Sequence, residues 1–372
     1  PAQSGLPAPP GRRLADVTAF ARGIGGAESN VACTLARAGH TVRWVSRVGA
    51  DPFGDHLLAE IAACGVDTSR VTRDPSRPTG IYFRTPGARE PDPVHRDSVH
   101  GDSAHGDSVH REPLSEVAYY RTGSAASAMS PANMAPAALA HTRVLHLTGI
   151  TAALSADCLD LLRSLTTHRT GSSRLMGGSR PTGGSRPTGG SRSTGGSRPL
   201  LSFDVNYRPP LWGPADDPTV LLTLAAASDL VFVGEDEAEA AWGITGGPEA
   251  IRAALPEPES LVVKQSAAGA TLFTRDEGPD PVHEPAPRVD VVASVGAGDA
   301  FAAGYLSAVL RGLPAPQRLR HGHLTAAAAL TVPDDLAAPP VRSEADRLAA
   351  LPPDRWRALH LTAGWTKMDV AR

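Results

Sequence analysis

The stretch Val295–Leu306 reads VGAGDAFAAGYL. Gly296, Ala297 and Gly298 are small residues placed directly ahead of an apolar helical run with Phe301, Ala302, Tyr305, Leu306 and Val309. A glycine-rich turn that enters a helix presents unbonded backbone N–H groups and the positive end of the helix dipole. That is an anion hole suited to a phosphoryl group in transfer. Asp299, at the helix start, can serve as a capping carboxylate or as a base aimed at an incoming hydroxyl. The run is not a dinucleotide fingerprint, because Phe301 stands where a third glycine is needed. It is not a Walker loop either, since no Gly-Lys-Ser/Thr follows.

The elements that must position these residues follow from the apolar pattern. Val42–Val48, Val144–Leu147, Leu200–Val205, Leu230–Val233 and Leu261–Lys264 are short apolar runs that read as buried strands. Helical spacing at Pro52–Cys64, closed by Gly65, and at Leu154–Leu165 falls between them. Strands alternating with helices predict an α/β fold, a mostly parallel sheet covered by helices on both faces. GIYFRT at 80–85 and VAYYRT at 117–122 instead alternate with period two and carry aromatic residues. They read as a hairpin outside the main sheet, with residues 13–24 supplying a further strand beside it.

Two tracts interrupt this pattern. Residues 87–116 contain a five-residue repeat with His95, His100, His105 and His110, and residues 171–198 contain a six-residue Gly-Ser-Arg repeat. A period of five puts successive histidines on no single helix or strand face, so the first reads as a solvated loop expansion before it reads as a metal tract. The second has linker composition. The expected organisation is an α/β core of 25–79, 124–170 and 199–350. Lid strands fall in 13–24, 80–86 and 117–123, and 351–372 form a C-terminal helix and tail.

Composition bounds the partners. The 372 residues carry a net charge of −3, which offers no basic field for nucleic acid or an anionic membrane surface. No apolar run approaches the roughly 18 residues that span a bilayer. Three cysteines, Cys33, Cys64 and Cys158, are far apart and odd in number. They suit a reducing cytoplasm better than a disulfide scaffold.

Two segments together resemble the signatures of the PfkB (ribokinase-like) carbohydrate kinases. One is Gly25–Gly54, with its Gly-Gly pair, Asn30-led helix and Gly-x-Asp-x-x-Gly turn; the other is the Gly-Ala-Gly-Asp run. Within that family GIYFR at 80–84, YYRTGSAASAMSP at 119–131, LHLTGITAALS at 145–155 and DVNYRPPLW at 204–212 are similar to the 2-keto-3-deoxygluconate kinases. The resemblance implies an ATP- and Mg²⁺-dependent kinase that phosphorylates the 6-hydroxyl of such a sugar acid. It implies Asp299 as catalytic base and Gly296, Ala297 and Gly298 as the anion hole. Gly26, Tyr82, Tyr119, Arg121, Arg208 and Asp335 would face the substrate. Asn206, Lys264, Gly269 and His323 would face the nucleotide, and Glu237 would organise Mg²⁺ through water. Arg121 and Arg208 suit a substrate carboxylate, which guanidinium groups grip in bidentate fashion, although Arg208 can also meet phosphate. Homo-oligomers through the lid are compatible with the resemblance.

The chain also departs from the family pattern. Ala293 stands where an Asp commonly helps bind a monovalent cation, Gly234 replaces the Asn of Asn-x-x-Glu, and Ser266 replaces a glycine in the nucleotide turn. The family's first strand belongs ahead of Arg13, and Pro1–Gly11 lacks a strand pattern. A gap or unpaired edge is therefore expected near Gly25, Val45 and Val205. A neutral-sugar kinase and a non-catalytic ligand-binding relative are the rival readings.

Overall fold

In the computed structural model the described residues are 13–85, 117–134, 142–173, 198–213, 216–275, 278 and 280–367. The histidine repeat and residues 174–197 of the Gly-Ser-Arg tract lie outside them. Helix α1 (Ala27–Arg37), strand β1 (Arg47–Gly49), helix α2 (Pro52–Ala63) and strand β2 (Thr72–Asp74) lead to the hairpin of β3 (Ile81–Arg84) and β4 (Val117–Tyr120). Next come β5 (Val144–Thr148), α3 (Gly149–Ala152), α4 (Ala156–Ser173), β6 (Leu200–Asp204), α5 (Val220–Ala226), β7 (Leu230–Gly234), α6 (Glu235–Trp242) and α7 (Gly247–Ala254). The chain continues through β8 (Ser260–Lys264), β9 (Ala270–Thr274), β10 (Val282–Glu284), β11 (Arg288–Val289), α8 (Ala297–Leu310) and α9 (Ala315–Leu330). It closes with α10 (Arg342–Ala349), α11 (Pro353–Arg357) and β12 (His360–Leu361).

The central sheet runs β10-β9-β8-β7-β6-β5. Strands β5 to β8 are parallel, and β9 and β10 add an antiparallel flank. Strand β7 shows why the sheet is covered on both faces. All five of its residues are buried. Leu230 and Phe232 enter one apolar core with Phe301 and Leu306, while Val231 and Val233 enter another with Leu221 and Ile251. The strand side-chain period of two sends alternate residues to opposite helix layers, so a continuous apolar run is what such a strand requires. Among the described residues no helix is long and apolar enough to cross a membrane.

Local signals place the helices. Asp51 caps α2 by accepting the Gly54 N–H at 2.8 Å, Pro52 occupies the first turn, and Gly65 exits with φ +90°. Helix α4 runs on to Ser173, past the Leu165 end expected from its apolar spacing, because periodicity marks the packed face and not where the backbone stops. Among the described residues of the C-terminal segment, Trp356 is fully buried and β12 pairs with β11.

The hairpin pairs Tyr82 with Tyr119 and Phe83 with Ala118. Residues 13–24 do not add a strand to it. They hold a single 3-10 turn at Leu14–Asp16, and Phe20 packs on Phe83 with ring centroids 4.8 Å apart. An aromatic contact, without ladder hydrogen bonds, joins this segment to the lid.

Among the described residues β5 is the last strand on its side of the sheet. Its outer side borders a cavity of about 620 Å³, lined across from it by Val42–Val48, with Gly25 and Leu306 also on the wall. Strand β1 pairs with β2 and not with the central sheet, and only Arg47–Gly49 of the expected 42–48 run is strand. Among the described residues, the gap expected near Gly25 and Val45 is thus present. Val205 is not on it: this residue is fully buried and donates its N–H to Phe232 O at 3.0 Å. Strand β6 is flanked by β5 and β7, so the gap falls one strand further out.

Candidate active site

The polar side chains gather where the parallel strands end. Asp204 closes β6, Gly234 closes β7 and Lys264 closes β8. In an open α/β sheet the carboxyl ends of the strands carry the ligand crevice, because the chain there turns outward into loops and helix N-termini. Helix α8 begins at the same place. Gly296 is its N-cap with φ +80°, and a Cβ there would lie 2.3 Å from Asp335 O, so only glycine makes the turn. The N–H groups of Ala297, Gly298 and Asp299 begin the helix without partners of their own helix, and the first helical bond runs from Ala300 N to Gly296 O at 2.9 Å.

Asp299 is held from two sides. Asn30 donates to Oδ2 at 2.9 Å and Asn206 to Oδ1 at 3.1 Å. The first contact spans most of the chain and is made because α1 packs along α8. Asn206 sits at φ +41°, an uncommon conformation for a non-glycine residue, at the point where β6 turns toward Asp299. Burial raises the Asp299 carboxyl to about 7; Asp204 adds to the rise, while the Asn30 amide, Arg208 and Lys264 oppose it. A carboxylate that changes protonation near neutral pH is matched to general-base work.

Behind Asp299 lies a buried charge network. Lys264 Nζ contacts Asp204 Oδ1 at 3.0 Å and Glu237 Oε2 at 3.7 Å. Arg208 Nη1 contacts Glu237 Oε1 at 2.8 Å and donates to Tyr207 O at 2.7 Å. Glu237 Oε2 also accepts the Gly234 N–H at 2.9 Å, closing the start of α6. Burial alone would raise the Glu237 carboxyl, but Lys264 and Arg208 hold it at about 2. Burial likewise opposes the Lys264 charge, yet Asp204 and Glu237 outweigh it and keep the ammonium protonated. Its Nζ stands 3.7 Å from where a Cβ on Gly298 would be, so a buried cation borders the anion hole.

For Arg208 the sequence leaves open a substrate carboxylate or a nucleotide phosphate. Its guanidinium pairs with Glu237, because β7 ends beside β6 and presents a buried carboxylate there. Arg121 differs. It lies over the rings of Tyr119 and Tyr82, 4.8 and 5.7 Å from their centroids, and has no carboxylate partner among the described residues. Tyr82 and Tyr119 face each other across the hairpin at 5.9 Å. The Tyr82 hydroxyl donates to Asp335 Oδ2 and passes close over Gly25, where any Cβ would collide with it. Gly26 adopts φ +136° as the N-cap of α1. Gly26, Tyr82, Tyr119, Arg121 and Asp335 therefore form one half of a site, and Asn206, Glu237, Lys264 and Arg208 the other, with Asp299 between them.

Of the expected nucleotide contacts, His323 is placed differently and Gly269 falls in the expected turn. His323 is buried against Phe301 and Trp356, with Nε2 3.0 Å from Glu284 O, so its polar edge is turned to β10 and not to an open cleft. Gly269 has φ +128° and a Cβ there would lie 2.3 Å from Glu284 O, which makes it a requirement of the β8–β9 turn. Ser266, where glycine was the expectation, takes φ +50° in the same turn, and this explains why glycine suits the position. Local spacing assigns no role to Asn30 or Asp204; an amide and a carboxylate inside otherwise small or apolar runs are the signal the sequence offers.

A model described as the pfkB family carbohydrate kinase matches residues 7–138 and 195–341. The chain belongs to this family. The 2-dehydro-3-deoxygluconokinase of Bacillus subtilis (strain 168) is 33% identical over 338 residues, covering 89% of this chain and 88% of its own. Among solved structures, the PfkB protein from Polaromonas sp. JS666 has a TM-score of 0.67 at 29% identity, covering 90% of this chain and 93% of that one. The 2-dehydro-3-deoxygluconokinase from Thermotoga maritima has a TM-score of 0.69 at 21% identity, covering 92% and 94%, and supports the ribokinase-like fold. This kinase is an ATP-dependent phosphotransferase with an alcohol group of a sugar as acceptor.

Both Glu237 oxygens are occupied by Arg208 and the Gly234 amide, and among the described residues no cluster of three or more His, Cys, Asp or Glu could cage a metal. The acceptor capacity left on Glu237 is compatible with a water-mediated contact to an ion carried by the nucleotide.

Proposed function

We propose that this kinase phosphorylates the 6-hydroxyl of 2-keto-3-deoxygluconate or a closely similar sugar acid. The observation that carries the reading is Arg121, a guanidinium framed by two tyrosine rings and lacking any described carboxylate partner. A planar carboxylate is the ligand such a group accepts in bidentate fashion. The name of the Bacillus subtilis relative agrees with it.

In this reading Tyr82, Tyr119, Arg121 and Asp335 hold the sugar acid over Gly26. Asp299 accepts the proton of the attacking hydroxyl, with Asn30 and Asn206 fixing its orientation. The amides at Gly296–Gly298 and the Lys264 ammonium stabilise the charge on the phosphoryl in transfer. Asn206 and Arg208 face the nucleotide phosphates. Mg²⁺ would enter with ATP and neutralise phosphate charge, reached by Glu237 only through water. The lid, 80–85 and 117–123, covers the sugar. Its outer face exposes Tyr120 at 63% and Phe20 at 46%, and a second copy of the chain is the partner we propose for it. Three buried free thiols suit a cytoplasmic protein.

The test is ATP turnover against a panel of 2-keto-3-deoxy sugar acids and neutral sugars. Preference for an acid supports the reading. Equal or better turnover of fructose or ribose returns the neutral-sugar alternative, and no turnover of any sugar points to a ligand-binding relative.

A further inference from the structure

The lid carries a second arginine with a different assignment. Arg84, two residues after Tyr82 on β3, reaches the same aspartate as Tyr82. Its Nη2 lies 2.7 Å from Asp335 Oδ1, an ionic contact without hydrogen-bond alignment, and donates to Pro333 O at 2.5 Å. Both groups are largely withdrawn from water, with side-chain exposures of 18% for Arg84 and 7% for Asp335. Alternate residues of a strand share a face, so Tyr82 and Arg84 close on Asp335 as a pair. Tyr82 binds one carboxylate oxygen and Arg84 neutralises the other.

The charge count around Tyr82 follows. Asp335, Arg84 and Arg121 all act on its hydroxyl; burial raises the hydroxyl first and Asp335 adds to this, while both arginines oppose it. With Arg84 present, the negative charge of Asp335 is cancelled and the positive charge of Arg121 is left over. One monoanion then completes the balance. Without Arg84, a substrate carboxylate would approach a bare buried carboxylate, and Arg121 would be drawn toward that carboxylate itself.

We infer that Arg84 is a specificity-determining residue, which cancels Asp335 so that Arg121 remains available to an anionic substrate. It acts through Asp335 and is a positioning residue, not a catalytic one. The inference rests on the sugar-acid reading.

The experiment measures KM for 2-keto-3-deoxygluconate and the inhibition constant of the neutral sugar fructose. The proteins are the parent, Arg84→Gln, Arg84→Lys, Asp335→Asn and the Arg84→Gln/Asp335→Asn pair, each with its Tm recorded. Arg84→Gln should raise KM for the acid about tenfold or more, as an uncompensated charge a few ångströms away demands at an intermediate effective dielectric. It should move the fructose constant little. Arg84→Lys should retain most of the acid affinity, and adding Asp335→Asn to Arg84→Gln should restore much of it, because the bare charge is gone. Parallel losses for acid and neutral sugar in Arg84→Gln, or no recovery in the pair, would overturn the inference while the parent still prefers the acid. A parent that does not prefer the acid would overturn the sugar-acid reading itself and this inference with it.

Discussion

The two halves of the site are prepared in different ways. On the side proposed for the nucleotide the buried charges already have partners: Lys264 with Asp204 and Glu237, and Arg208 with Glu237. On the side proposed for the sugar Arg84 is paired with Asp335, while Arg121 rests, among the described residues, on tyrosine faces without a carboxylate partner. A buried ion pair is stable only while both members are present, so the first half is fixed by the fold before any ligand arrives. A cation over aromatic rings keeps its donors available, so the second half is complete only with its anion. Damage to the first half should therefore register as stability, and damage to the second as substrate binding.

Asp299 joins the halves, and its loss should be the largest effect. Asp299→Asn should lower kcat by roughly 10²–10⁴-fold, the usual worth of a positioned base, with little change in Tm. Near-parental kcat would remove Asp299 from the base role.

Arg121→Ala should raise KM for the sugar acid by roughly 10–100-fold, equivalent to about 1.5–3 kcal/mol for a charge-assisted contact, and leave KM for ATP and Tm near parental values. A Tm loss as large as the binding loss would erase the contrast between the halves.

Arg208→Ala should do the reverse. It strips a partner from buried Glu237, a loss of about 1–3 kcal/mol that lowers Tm by several degrees in a domain of this size. KM for ATP should rise while KM for the sugar acid holds. A selective rise for the sugar acid would place Arg208 on the substrate side, one of the two roles its sequence context allows.

The finest test is the pH profile. Asp299 must be deprotonated to accept a proton and its carboxyl sits at about 7, so kcat/KM should climb as pH rises through about 7 and level off above it. Asp204→Asn removes a carboxylate that raises Asp299, and frees Lys264 to act on it more strongly. Both changes favour the ionised form, so the acid limb should move to lower pH by about half a unit to one unit. An unmoved limb would separate Asp299 from the network.

Much of this was legible in residues close together in the chain. The Gly-Ala-Gly-Asp turn, the apolar strands at Leu200, Leu230 and Leu261 and the period-two hairpin at Ile81 and Val117 depend on local backbone preference and on which side chains must avoid water. Both are properties of spacing. The sequence could therefore place Asp299 at a helix start, Lys264 at a strand end and Arg121 beside two tyrosines. It could not say whom a side chain would meet across the fold. Asn30 reaches Asp299 because α1 packs on α8. Arg208 turns to Glu237 because β6 and β7 end side by side. Arg84 finds Asp335 because the hairpin folds over the loop that follows α9. Even an edge without a neighbour among the described residues was foreseeable, yet its place beside β5 and not β6 was not, since strand order is settled by packing and not by succession. Local spacing fixes what each residue can do; its partner is chosen only when distant elements close on one another, and here that choice divides the site into its self-paired half and the half that awaits an anion.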